Sequence, residues 1–266
     1  MEKAYSIPVD DVYGHREIAI SVFRRPESEE PQCTKGLVAI VCHGMFCDMT
    51  TCSLITSLSG YLSERWNVCR LDFTGNGKSS GEWSYALYQR DVADLDAVSV
   101  YLETKLGLKT GLIVGHSKGG AIIIFHGASG AHARNCPHIS VSGHVDDTPA
   151  TYRNQFSPEE KEAMLRDGFL LKTMKRKQWL ITQSALDERR CLGSEIVHAL
   201  QTLECPLFHI HGTADTTVCP EEAEIVKRNA KGAVVEYVEG ADHLYRGKES
   251  ILAWKINQWI DTIITK

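Results

Sequence analysis

The chain has 266 residues, 43% of them hydrophobic and 24% charged, with 29 basic against 34 acidic side chains and a net charge of −5. That is ordinary globular composition, which excludes a disordered or collagen-like chain, and the length allows a large core without disulfide staples. A mildly acidic balance also lacks the basic footprint of a nucleic-acid-binding domain.

Taken in chain order, the first thirty residues read as antiparallel strands at a sheet edge, with clear alternation over Arg16–Phe23. Gly36–Cys42 (GLVAIVC) is a buried-strand run that stops at His43-Gly44. Ser53–Arg65 has helical spacing, and Asn67–Phe73 (NVCRLDF) is the next strand, broken by Thr74–Gly77. The best helical pattern is Arg90–Leu106. Val92, Leu95, Val98, Leu102 and Leu106 form its stripe, and Asp91, Asp94 and Asp96 weight its first turns toward the positive end of the dipole. A strand at Gly111–Gly115, a helix at Lys118–Ala128 and a strand at His138–Ser142 follow. After a long interval come a strand at Pro206–Ile210, a helix at Glu221–Ala230, a strand at Ala233–Val238 and a helix at Lys248–Ile264. Short β-branched runs alternating with amphipathic segments are the rhythm of an α/β fold, a mostly parallel central sheet flanked by helices.

The long interval spans residues 144–203, far more than a loop needs. It holds a possible hairpin, Phe169–Thr173 with Gln178–Thr182, and helical stretches at Ser157–Arg166 and Ser184–Arg190. We expect an inserted cap here, dividing a core made of residues 1–143 and 204–266. Its apolar members, among them Phe156, Met164, Phe169, Met174 and Trp179, suit a small cap core better than an acyl pocket. The Lys172/Lys175/Arg176/Lys177 cluster suits a solvated turn better than an anion site.

The nine cysteines are scattered singly, with no CxxC pair and no finger-like Cys/His spacing, so no metal and no cofactor are expected. Met1–Tyr13 carries acids and a proline rather than the basic-then-apolar order of a signal peptide, and no apolar run would span a bilayer. A reduced, cytoplasmic protein without an integral membrane segment is the expectation.

Chemistry concentrates at strand ends. Gly115-His116-Ser117-Lys118-Gly119 fits G-x-S-x-G directly after a strand and before a helix, the context of a nucleophile elbow. A serine hydroxyl needs a base, and the base an orienting acid. Asp215 follows the strand Pro206–Ile210 in His211-Gly212-Thr213-Ala214-Asp215. His243 follows the strand Ala233–Val238 in Gly240-Ala241-Asp242-His243. Asp242 adjoins the histidine but should point elsewhere; Asp146 or Asp147 is the reserve acid. An oxyanion needs two donors. The amide of Lys118 and, from the turn after the first parallel strand, the amide of Met45 are the candidates. A substrate pocket is placed among His43, Phe46, His116 and Trp179. The glycine-rich turn Asp72–Ser79 lacks the spacing of either nucleotide-binding glycine loop, so ATP and NAD are set aside.

His43-Gly44, Asp72–Ser79, GHSKGG around Ser117, HGTAD ending at Asp215 and EGADH ending at His243 occur in this order. Together they resemble the esterase/lipase branch of the α/β-hydrolase superfamily, with its serine-aminopeptidase-like hydrolases, cinnamoyl (feruloyl) esterases and monoacylglycerol lipases. The resemblance implies that fold and a triad of Ser117, His243 and Asp215 acting on a small-molecule ester. The same parts serve thioesterases, aminopeptidase-type amidases and non-catalytic receptors, so these stand as alternatives.

Overall fold

Strand alternation decides the architecture. Along Leu37–Cys42, Val38, Ile40 and Cys42 enter one apolar cluster, while Ala39 and Val41 enter a second on the opposite face. A strand apolar on both faces has to be covered on both, which calls for helices above and below.

The computed structural model describes residues 1–145, 156–174 and 177–264. Its strands are β1 (Glu2–Asp11), β2 (Gly14–Phe23), β3 (Leu37–Cys42), β4 (Asn67–Leu71) and β5 (Lys109–His116), then β6 (His138–Val141), β7 (Phe169–Met174), β8 (Lys177–Thr182), β9 (Leu207–Gly212) and β10 (Val234–Val238). The helices are α1 (Ser53–Leu62), α2 (Tyr88–Leu106), α3 (Lys118–Ser129), α4 (Pro158–Asp167), α5 (Gln183–Thr202), α6 (Glu222–Asn229) and α7 (Glu249–Ile264).

Eight strands form one sheet in the order β1-β2-β4-β3-β5-β6-β9-β10. β1 and β2 are an antiparallel hairpin at the edge, β2 runs antiparallel to β4, and every later pair is parallel. This is the α/β-hydrolase arrangement. Helices α1 and α7 cover one face through Leu54, Ile55, Leu58, Leu252, Ile256 and Ile260. Helices α2, α3, α5 and α6 cover the other, and Val92, Leu95, Val98 and Leu102 of α2 form the buried stripe expected of it. That helix ends on Gly107, whose φ of 64° closes the last turn.

The acids in the first turns of α2 do more than complement a dipole. Asp94 is fully buried, accepting from Arg16 Nε at 2.7 Å and from both the amide and the hydroxyl of Thr74. Asp91 is buried against Lys118.

Between β6 and β9 lie α4, a separate two-stranded sheet of β7 and β8, and α5. Phe156, Met164, Ile181 and Leu186 form a small apolar cluster with Tyr85. The far half of α5 belongs elsewhere: Leu192, Ile196, Ala199 and Leu200 pack into the main core beside the sheet. The apolar residues of this interval split three ways. Met164 and Trp179 are buried, Leu165, Phe169, Leu171 and Leu180 face solvent, and Phe156 and Met174 reach the cavity described below.

Candidate active site

Four loops at the carboxyl ends of parallel strands meet at one cavity of about 510 Å³. The turn after β3 contributes Gly44, Met45, Phe46 and Cys47. The β5–α3 junction contributes His116, Ser117 and Lys118. The loop after β9 contributes Thr216, Thr217 and Val218, and the loop after β10 contributes Asp242, His243 and Leu244. Open parallel sheets bind their ligands at this edge.

Ser117 has φ 56° and ψ −119°, a backbone conformation that costs a non-glycine residue about 1–3 kcal/mol and is held only when the surroundings dictate it. The surroundings are two glycines. A Cβ on Gly115 would stand 2.2 Å from the carbonyl oxygen of Gly119, and one on Gly119 would stand 2.6 Å from that of His43. The Ser117 amide donates to Val141 O at 3.0 Å, and its carbonyl accepts from the His144 amide. The serine is therefore pinned between β5, β6 and the start of α3.

His243 and Asp215 come together as their sequence positions suggested. Nδ1 of His243 lies 2.7 Å from Oδ2 of Asp215, whose Oδ1 accepts the amides of Thr217 and Val218. Burial opposes ionisation of Asp215, but hydrogen bonds from His211 and His243 outweigh it and hold the carboxyl well below the usual carboxylate range. Ser117 and His243 line the same cavity without a direct hydrogen bond between Ser117 Oγ and the imidazole among the described residues. Such contacts commonly tighten only when substrate is bound. Asp242 turns to its own loop, accepting from the amides of Leu244 and Arg246 and from the Arg246 guanidinium. Asp146 and Asp147 lie outside the described residues.

His116 packs against His243 with ring centroids 4.6 Å apart and the rings tilted by 46°, and its Nε2–H donates to the His243 carbonyl at 2.9 Å. Burial, helped by the neighbouring His243, pushes its pKa down to about 3, so it packs as a neutral ring. On the other side of the serine, a Cβ on Gly44 would stand 3.0 Å from Ser117 Cβ, so the Gly44 backbone abuts Ser117. Phe46, next in line, has φ 55°. Neither the Met45 nor the Lys118 amide makes a backbone hydrogen bond among the described residues, which leaves both available at the cavity.

Two of the four residues expected in the pocket do not line it. His43 is buried beneath the loop: Nδ1–H donates to Gly44 O, Nε2 accepts from the Phe73 amide, and the ring packs edge-on against Phe73. Its ring supports the Gly44–Phe46 turn from below. Trp179 sits behind the wall, 5.7 Å from Phe46 and 5.1 Å from Trp83 by ring centroid. Phe46 and His116 are cavity residues.

The sequence reading missed Tyr85, Phe156, Lys172 and Arg189 in the lining. The Arg189 guanidinium lies 4.4 Å over the Tyr85 ring, and Lys172 Nζ lies 5.0 Å over Phe156 while paired with Glu160. His144 was missed as well; its Nδ1 is 2.9 Å from Glu222 of α6. A polar residue just past a parallel strand was the available signal for His144. No local pattern marks the others.

A family model described as the Alpha/beta hydrolase family matches residues 39–247, and the chain belongs to that family. Among curated proteins, none matches the sequence. Among solved structures, the ferulic acid complex of Est1E from Butyrivibrio proteoclasticus is similar over 94% of this chain and 97% of that one, at 18% identity and a TM-score of 0.74. The esterase domain of a Rhodothermus marinus protein aligns over 97% of both chains at 19% identity and a TM-score of 0.67. Alpha/beta hydrolase domain-containing protein 10 from mouse aligns over 97% of this chain and 99% of that one, at 15% identity and a TM-score of 0.68. These likenesses concern the fold. Among the described residues, no helix is long and apolar enough to cross a membrane.

Proposed function

We propose that the chain is a serine hydrolase that cleaves a small carboxylic ester through an acyl-enzyme. The observation that carries this reading is the joint placement of a strained Ser117 and an Asp215-bound His243 on one cavity. Ser117 Oγ attacks the ester carbonyl and passes its proton to Nε2 of His243. The amides of Met45 and Lys118 hold the oxyanion that develops, a contribution of roughly 3 kcal/mol per donor in comparable sites. The tetrahedral intermediate collapses as His243 protonates the departing alcohol. Water then attacks the acyl-enzyme with His243 again as base, and the acid leaves. Asp215 keeps Nδ1 protonated, so that Nε2 is the nitrogen free to accept.

The cavity supports an apolar or aromatic ester. Met45, Phe46, Tyr85, Phe156, Val218 and Leu244 line it, and Est1E, similar in fold, binds ferulic acid. Helix α4, the β7–β8 hairpin and the first turns of α5 act as the cap in this reading, while the rest of α5 is core. Pre-steady-state hydrolysis of a nitrophenyl ester tests the mechanism. A burst of nitrophenol, one per active site, followed by slower turnover is the expected result. Linear release without a burst, together with no trapped acyl-enzyme on acid quench, would sink it.

A further inference from the structure

Asp215 has a second imidazole neighbour. His211 Nε2 lies 3.1 Å from the carbonyl oxygen of Val218 and 3.4 Å from Asp215 Oδ2. His211 Nδ1 is 3.2 Å from His209 Nε2, and His209 Nδ1 is 3.2 Å from Ser140 Oγ. Ser140, His209 and His211 are wholly buried. The register explains the row. Ser140 of β6 pairs directly with His209 of β9, and His211, two residues along β9, projects from the same face.

For a His211 that carries one proton, one atom settles the direction of the whole row. A carbonyl oxygen can only accept, so the nitrogen facing Val218 O carries the hydrogen. In a neutral His211 the other nitrogen, Nδ1, must then accept, and His209 Nε2 must donate to it. His209 Nδ1 accepts in turn, and the Ser140 hydroxyl donates. Every N–H and O–H in the row points the same way, ending at Val218 O beside Asp215, and dipoles aligned in this way reinforce one another.

We propose that Ser140, His209 and His211 form a directed hydrogen-bond relay that positions the triad acid and shares its charge. The proposal rests on reading Asp215 as that acid. Oδ1 is occupied by the Thr217 and Val218 amides, and Oδ2 accepts from His243 Nδ1 with His211 Nε2 standing 3.4 Å away. A carboxylate held by three hydrogen bonds and flanked by a fourth N–H has one orientation, and that orientation sets the His243 ring. Burial holds His209 far below the usual imidazole range, and the His211 hydrogen bond is the foremost influence lowering Asp215 against the opposing effect of its burial. The other titratable groups that sense this pair are His116 on β5 and, for Asp215, Tyr245 after β10; the Tyr245 hydroxyl donates to Ile210 O. Taking away the His211 donor concentrates the negative charge on His243. The catalytic imidazolium becomes more stable, and the acid limb of activity moves to higher pH.

The test pairs spectroscopy on the unaltered chain with two variants. In histidine-labelled protein, ¹⁵N NMR is expected to find His209 and His211 neutral, each protonated on Nε2 alone. His211→Phe is expected to lower kcat about tenfold, the loss of a hydrogen bond to a charged group, with KM within about twofold. It also raises the acid limb of kcat/KM by about half a pH unit. His211→Gln, whose amide nitrogen reaches the same place as Nε2, restores both. Protonation of Nδ1 on either histidine, or a His211→Phe acid limb identical to the parent, would overturn the relay. Should His211→Phe fail to fold, the tautomers of the unaltered chain decide. The tautomers do not depend on turnover, so a Ser117→Ala protein that still hydrolyses ester would defeat the proposed mechanism without touching them.

Discussion

Lys118 Nζ, one residue beyond Ser117, lies 2.6 Å from Asp91 Oδ2, with both side chains almost wholly buried. The ammonium also lies 5.2 Å over the Tyr88 ring, and Arg90 approaches the same carboxylate at 3.8 Å. Burial pulls the Lys118 pKa down, and the neighbouring Asp91 carboxylate opposes that pull. Deleting one partner of a buried pair typically costs about 3–5 kcal/mol, because the other is left unpaired in low dielectric. Asp91→Asn strands Lys118 beside Arg90, whereas Lys118→Met leaves Asp91 with Arg90 still near. Urea unfolding should therefore find Asp91→Asn the more damaging, by about 3 kcal/mol or more against the parent. A larger loss for Lys118→Met would show that the pair is not organised as described.

The turn proposed to hold the oxyanion is set by a close approach. A Cβ on Gly44 would stand 3.0 Å from Ser117 Cβ and 3.3 Å from the His116 carbonyl, so Gly44→Ala must push the Met45 amide off its position. A shift of this size is expected to reduce kcat by about 10²-fold with little change in KM. Steady-state kinetics on a short acyl ester checks this. A rise in KM at constant kcat would mean that the turn binds substrate but does not hold the oxyanion.

Acid sensitivity should come from buried histidines. His138 donates through Nδ1 to Cys136 O and accepts from His126, and burial pushes its pKa down to about 3 from an ordinary 6.5. The unfolded chain binds a proton between those values and the folded chain does not. The stability contribution is thus complete above pH 6.5 and is lost as pH falls toward 3. Such a site gives a slope of about 1.4 kcal/mol per pH unit within that window. Denaturant unfolding at stepped pH should find His138→Gln less pH-dependent than the parent by about that slope. An unchanged slope would place the proton uptake elsewhere.

Asp215→Asn separates charge from shape. The amide can still accept the Thr217 and Val218 amides through its oxygen, but it presents an N–H to His243 Nδ1 and favours the wrong tautomer. A drop in kcat of about 10³–10⁴-fold is expected, as in serine proteases altered in the same way. Retention of more than about a tenth of the activity would remove Asp215 from the orienting role.

Much of this was legible in the sequence, because the signals were local. The strand run Gly36–Cys42 became β3 at Leu37–Cys42, the stripe in Arg90–Leu106 became α2 at Tyr88–Leu106, and the hairpin expected at residues 169–182 is β7 and β8. Each carries its period within one continuous segment. Helix α5 was seen only over Ser184–Arg190, although it runs to Thr202. Gly193 and Ser194 interrupt its propensity, and packing of Leu192, Ile196, Ala199 and Leu200 against the sheet overrides them. The Ser117, Asp215 and His243 positions followed from strand ends. The pocket did not, because its walls are made by residues far apart in the chain. Arg189 meets Tyr85, and Trp179 meets Phe46 and Trp83, through cap packing that no short motif encodes. His43 misled for a related reason: a histidine beside a catalytic turn can face inward, as this one does onto Phe73.

The proposed mechanism stands or falls with Ser117 as the nucleophile. Intact-protein mass spectrometry after treatment with a fluorophosphonate, followed by peptide mapping, tests it most directly. One adduct per chain on the peptide carrying Ser117, absent from a folded Ser117→Ala protein, is the result this account predicts. An adduct on any other residue, or undiminished labelling of Ser117→Ala, would contradict it.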